Sequence, residues 1–88
     1  MIIYDIKKAY KLKTERNIDI DEIIEIISTR KYIKIMKNPK REGQQIFILL
    51  YKDYIHVVPF VIDNAENIII KTVFASRSFH KIYGDEMK

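Results

Sequence analysis

No cysteine occurs among the 88 residues. That excludes a disulfide framework, a thiolate metal site and a cysteine nucleophile. Glycine and proline number two each. Gly43 and Gly84 are too isolated to build a phosphate-cradling loop, and neither flanks a serine in an elbow motif. His56 and His80 stand far apart, and no carboxylate lies at ligand spacing from either, so neither metal nor cofactor is expected. Apolar runs stop at about five or six residues, well short of the roughly 20 that a membrane-spanning helix needs. Met1–Asp5 lacks the basic-then-apolar order of a secretion signal. The expectation is one cytoplasmic domain over residues 1–88, away from any membrane.

What is present suits a compact fold. The chain is 48% apolar and 32% charged, the balance of a folded domain rather than a disordered tail. Its formal net charge is +4, which favours a polyanionic or acidic partner. The charge is also segregated. Asp19, Asp21, Glu22 and Glu25 form an acidic block; Arg30, Lys31, Lys34, Lys37, Lys40 and Arg41 then follow without an acid between them. A second acid-free stretch carries Lys71, Arg77, His80 and Lys81. Such separation fits a surface that meets phosphates on one side.

Periodicity predicts the elements. Asp5 caps a helix over Ile6–Arg16, with Ile6, Ala9 and Tyr10 at helical spacing. Asn17-Ile18 interrupts it. Asp19 with Glu22 reads as a capping box for a second helix over Ile20–Thr29, with Ile20, Ile23, Ile24 and Ile27 on one face. From Tyr32 the period becomes two, Ile33 and Ile35 alternating with Lys34 and Met36 as in a half-buried strand. Asn38–Gly43 is a loop, and Ile46–Tyr51 a strand covered on both faces. Lys52-Asp53 turns the chain into Tyr54–Ile62, where Pro59 marks a bulge or a position that needs no amide. After Asp63–Asn67, Ile68–Phe74 forms a fourth strand. Ser76 then caps a short helix from Arg77 to Tyr83, ended by Gly84. The fold class is α+β: two N-terminal helices on one face of a four-stranded antiparallel sheet, closed by a short C-terminal helix.

Candidate chemistry rests on charge and proton transfer. Lys71 interrupts an apolar strand, and alternation turns it to the face opposite Ile70 and Thr72. Arg77 follows directly, and its planar fork suits a phosphate. His80 lies among Arg77, Lys81 and Tyr83 and can exchange a proton near neutral pH, although a solvated terminal histidine is the commoner case. His56, between Ile55 and Val57, reads as a cross-strand packing residue with one satisfied nitrogen. Lys31, Lys34, Lys37, Lys40, Arg41 and Lys81 are candidate RNA-phosphate contacts, or simply solvated lysines and arginine. Tyr32, Tyr51, Tyr54 and Phe60 can stack on bases if they lie on an open face, and otherwise belong to the core.

Four segments carry a resemblance. Tyr4-Asp5-Ile6-Lys7-Lys8-Ala9 and Glu15-Arg16-Asn17-Ile18-Asp19-Ile20-Asp21-Glu22-Ile23 resemble the opening of BrnT-type toxins. Ile70-Lys71-Thr72-Val73-Phe74-Ala75-Ser76-Arg77-Ser78 is similar to that group's last strand and Ser-Arg turn, and Val58-Pro59-Phe60-Val61 to one of its variants. The resemblance implies a RelE-like fold, metal-free cleavage of RNA, and neutralisation by a cognate antitoxin with a ribbon-helix-helix DNA-binding domain. It implies that Arg77 binds phosphate and stabilises the transition state, with Lys71 and Tyr83 beside it. Two positions depart from the pattern. Lys37-Asn38-Pro39 stands where variants carry His-Pro-Asn, so a proton-transfer histidine is missing. Asn17 replaces a glycine between the helices, and asparagine tolerates the same left-handed backbone.

The implied reaction is attack of a ribose 2′-OH on the adjacent phosphate, leaving a cyclic phosphate and a 5′-OH. Arg77 and Lys71 would stabilise the growing charge, with His80, Tyr83 or a lysine moving protons. The alternative is a non-catalytic RNA-binding or regulatory module on the same fold.

Overall fold

A computed structural model describes residues 1–84. Its elements are β1 (Ile2–Ile3), α1 (Ile6–Arg16), α2 (Ile20–Ser28), β2 (Lys34–Lys37), β3 (Gln45–Tyr51), β4 (Tyr54–Ile62), β5 (Ile68–Ile70), β6 (Phe74–Ala75) and α3 (Arg77–Tyr83). The Asp5 carboxylate accepts the Lys7 and Lys8 amides at 2.8 and 3.4 Å, which starts α1. Asn17 stops it in the left-handed region, at φ 55° and ψ 38°, and the Ile18 amide folds back onto the Leu12 carbonyl at 3.0 Å. The inward line of α1 runs through Ala9 and Leu12. Ile6 and Tyr10, expected on that line, are instead exposed.

Asp19 caps α2 by accepting the Asp21 amide at 2.9 Å. The reciprocal half of the expected capping box is replaced by the buried Tyr51 on β3. Its hydroxyl accepts the Asp19 amide at 3.1 Å and donates to Glu22 Oε1 at 3.3 Å. A core residue of the sheet thereby sets the start of α2. Ile20, Ile23 and Ile27 are buried beneath that helix.

The sheet is mixed rather than four-stranded and antiparallel, in the order β1-β5-β4-β3-β2, with β6 also on β4. Ile2 and Ile3 add a parallel edge strand beside Ile68 and Ile69. At the β3–β4 hairpin Lys52 and Asp53 both have positive φ, 51° and 62°, matching the twist that a two-residue connection demands. The predicted fourth strand is broken in two. Phe60 pairs with Ile70, but Val57 pairs with Phe74. Val58 and Pro59 therefore oppose three residues, Lys71, Thr72 and Val73, which is a bulge of one residue. The Pro59 carbonyl accepts the Lys71 amide at 2.8 Å. An N–H at residue 59 would point toward the same neighbour, and the proline ring removes it.

Alternation gives the sheet two apolar faces. Phe47, Leu49, Tyr51, Val58, Phe60, Ile70 and Val73 meet α1 and α2, and Phe47 stacks on Phe60 at 4.3 Å. Ile46, Ile48, Ile55 and Val57 point the other way, where Phe79 and Tyr83 of α3 cover them. The register of β2 turns Met36 to this second face and leaves Ile35, on the first face of an edge strand, 40% exposed. Among the described residues no helix is long and apolar enough to cross a membrane.

His56 is buried on the helix-covered face. Its Nδ1–H donates to the Tyr54 carbonyl at 2.9 Å, and its ring meets Tyr51 edge-on at 5.2 Å. Burial holds its pKa below the ordinary 6.5; the Tyr54 carbonyl opposes this and Lys52 adds to it. The unfolded chain thus takes up the proton first, so stability is full above about pH 6.5 and declines as pH falls through the lower folded value. Chemical denaturation at stepped pH is expected to show that decline in the parent, and a shallower one in His56→Gln.

Candidate functional site

The bulge decides what faces outward after Ile70. The extra residue brings Lys71 and Thr72 to the same outward cleft, where simple alternation predicts opposite faces, and returns Val73 to full burial. Phe74 then lies opposite Val57, on the sheet face away from α1 and α2. Two side chains of α1 serve the backbone of this stretch. Lys8 Nζ donates to the Lys71 carbonyl at 3.3 Å, and Arg16 Nη1 to the Val73 carbonyl at 2.8 Å.

A cleft of about 320 Å³ lies over the bulge, between Lys8 and the β2–β3 loop. Among the described residues its lining holds four cations, Lys8, Lys40, Arg41 and Lys71, and no carboxylate. Asn38, Gln44, Pro59, Thr72 and Phe74 complete it. The loop is tied at its neck: the Asn38 amide donates to the Gln44 carbonyl at 2.9 Å, and the two side-chain amides meet at 3.3 Å. Asn38 Oδ1 also accepts the Lys40 amide at 3.0 Å. A larger concavity of about 800 Å³ under the loop itself shares Lys40 and Arg41 and adds Lys37 and one carboxylate, Glu42. On the α1 side, a third concavity of about 350 Å³ shares Lys8 and Lys71 and adds Lys11, Glu15 and Arg16. The result is a cationic band crossing the bulge, shaped to hold successive anionic groups.

The sequence-derived candidates separate into groups. Lys71, Lys40 and Arg41 come together in the cleft, and Lys37 adjoins it. Lys31 after α2, Lys34 on β2 and Lys81 on α3 are exposed and lie outside it. Arg77 is the exposed first residue of α3 and does not line the cleft. The register places Lys71 beside Pro59 and Ser76 beside Ile55, four residues along β4, or about 13 Å. His80 Nδ1 accepts the Ile55 amide at 3.2 Å, which leaves Nε2 as its donor, and its ring stacks on Tyr54 at 4.0 Å. Gly84 permits that packing, because a Cβ there would come within 2.9 Å of the ring. Tyr83 packs with Phe79 over the second core, ring centroids 6.1 Å apart.

Lys8, Lys11, Arg16, Thr72 and Phe74 were not among the sequence candidates. The signal for the first two was the i, i+3 spacing of Lys8 and Lys11, which puts both on one side of a helix. Thr72 depends on the bulge register, which only the pairing of distant strands reveals.

Four clustered cations predict salt-sensitive binding of a polyanion. Removing two of them, in Arg41→Ala with Lys71→Ala, is expected to flatten the slope of log affinity against log salt by about 1.4 for a single-stranded ligand. Lys7→Ala, on an exposed residue outside the cleft, should leave the slope unchanged. Anisotropy titrations at several salt concentrations measure it.

Scans against protein-family models, the curated proteins and the solved structures return no match for this chain, so its function is argued from the site.

Proposed function

We propose that this chain is the toxin of a bacterial toxin–antitoxin pair, acting in the cytoplasm as a metal-independent endoribonuclease on RNA held in the basic cleft. The observation that carries the reading is the convergence of Lys8, Lys40, Arg41 and Lys71 around one concavity that no carboxylate lines among the described residues. Its sequence support is the resemblance of the opening helices and the Ser76-Arg77 turn to BrnT-type toxins. In the proposed reaction the 2′-oxygen attacks phosphorus and the bond to the 5′-oxygen breaks, giving a cyclic phosphate and a 5′-OH. Lys71 and its neighbours hold the phosphate and offset the charge that builds on it. The proposed partner is an antitoxin with a ribbon-helix-helix domain, whose acidic segment competes with RNA for the same cations.

A second reading, RNA binding without cleavage, has its own supporting observation. Cleavage needs one group to take the 2′-OH proton and another to return a proton to the 5′-oxygen. His80 gives Nδ1 to a backbone amide and its ring face to Tyr54, while Tyr83 is packed over the second core. Neither lines the cleft.

Incubating the chain with bacterial RNA in EDTA, beside Lys71→Ala and Arg77→Ala, decides between the readings. The toxin reading expects breakage by the parent, a fall of about 10²-fold or more in Lys71→Ala, and a cyclic phosphate at the new ends. Bound but intact RNA would favour the second reading; RNA neither bound nor cut would overturn both. Loss of activity in Arg77→Ala but not in Lys71→Ala would move the centre from the bulge to the start of α3.

A further inference from the structure

Among the described residues Phe74 is the one aromatic side chain lining the cationic cleft, and it is 38% exposed. A phenylalanine left that accessible beside four cations contributes little to the core. The aromatic residues that the sequence offered for base stacking are otherwise engaged. Tyr51 and Phe60 are buried, Tyr32 packs on Phe47 at 5.0 Å, and Tyr54 on His80 at 4.0 Å.

The backbone beneath Phe74 is well held. Val73 is fully buried, the Val73 carbonyl is bound by Arg16 at 2.8 Å, and Phe74 itself pairs with Val57. A ring presented from such a strand needs little ordering when a flat ligand settles on it, so most of the stacking energy appears as affinity.

We infer that Phe74 is a stacking platform for an unpaired base, and that the ligand of the cleft is single-stranded rather than duplex RNA. This rests on the RNA reading above and narrows it. In an A-form duplex the base faces are already stacked on one another, so a duplex can offer the cleft its phosphates but no base face for Phe74. A single strand offers both. Lys8 and Lys71 at the bulge and Lys40 and Arg41 on the loop line the same cleft as the ring, so the phosphates next to a stacked base have cations within the cleft to meet. Any base has a face to stack, so the site discriminates strandedness more than sequence.

The test measures binding of the full chain to a short 2′-O-methyl oligoadenylate, which has no 2′-OH to attack, to its duplex with a complementary strand, and to inorganic polyphosphate. The parent is expected to bind the single strand more tightly than the duplex at equal charge. Phe74→Leu keeps an apolar side chain but loses the aromatic face. It is expected to weaken single-strand binding about 5- to 100-fold while leaving polyphosphate binding unchanged; Phe74→Tyr should restore the single strand. Equal affinity for single strand and duplex, or equal losses on oligonucleotide and polyphosphate in Phe74→Leu, would overturn the inference and leave the phosphate-binding cleft standing. Failure of the parent to bind any of the three would remove the RNA reading and this inference with it.

Discussion

One extra residue opposite Val58 and Pro59 organises the cleft side of the molecule. A strand that stayed in register would have carried Lys71 and Val73 to one face and Thr72 to the other, leaving either a lysine or a threonine against the apolar core. The bulge resolves that conflict, since Val73 is buried while Lys71 and Thr72 line the same outward cleft. Pro59 makes the arrangement inexpensive, because a residue with an amide at that point would carry an N–H toward a neighbour whose ladder is already interrupted. The carbonyls of the bulged stretch still need donors, and Lys8 and Arg16 supply them. Lys8 thus repairs the backbone and charges the cleft, while Arg16 does the same beside it in the α1-side concavity, which ties the position of α1 to the position of the site.

The helix layer is fixed by a different device. Tyr51 sits at the end of β3 with its ring in the core, and its hydroxyl is shared between the Asp19 amide and the Glu22 carboxylate. A single hydrogen bond of this kind contributes only about 1 kcal/mol net, and the burial of Ile20, Ile23 and Ile27 supplies more. What the hydroxyl adds is register, because it fixes where α2 begins along the sheet. Asp21, Glu22 and Glu25 consequently lie beside Tyr51 on a surface apart from the basic cleft. The charge segregation in the sequence is therefore also a segregation in space.

Features controlled by near neighbours were legible in the sequence, and those controlled by distant pairing were not. Asp5, Asn17, Asp19 and Ser76 act on amides or turns within a few residues, and each stands where its local pattern placed it. Pro59 marked a bulge or a position that needs no amide, because its missing N–H is a property of the residue itself, but the extra residue lies on the facing strand, among Lys71, Thr72 and Val73. Ile2 and Ile3, by contrast, form a strand only because Ile68 and Ile69 lie beside them, and two residues carry no period. Ile6 and Tyr10 matched a helical stripe that the sheet edge does not meet. The mixed character of the site follows the same logic. Lys40, Arg41 and Lys71 were visible as isolated cations, but their convergence with Lys8 and Phe74 is a consequence of the strand register and of α1 lying along it.

The cost of that convergence bears on function. Cations held together without intervening acids repel one another, and the folded chain bears this repulsion more than the unfolded one, where the same residues are spread out. Packing on the sheet, and the carbonyl contacts of Lys8 and Arg16, hold them in place. An anion that enters the cleft relieves the strain in the folded state alone, so binding and stability are coupled by mass action. A fold of this size has little stability to spare. That it spends some on a cationic cleft with an accessible phenylalanine, rather than on a neutral and closed surface, is the physical argument that the cleft is there to be filled.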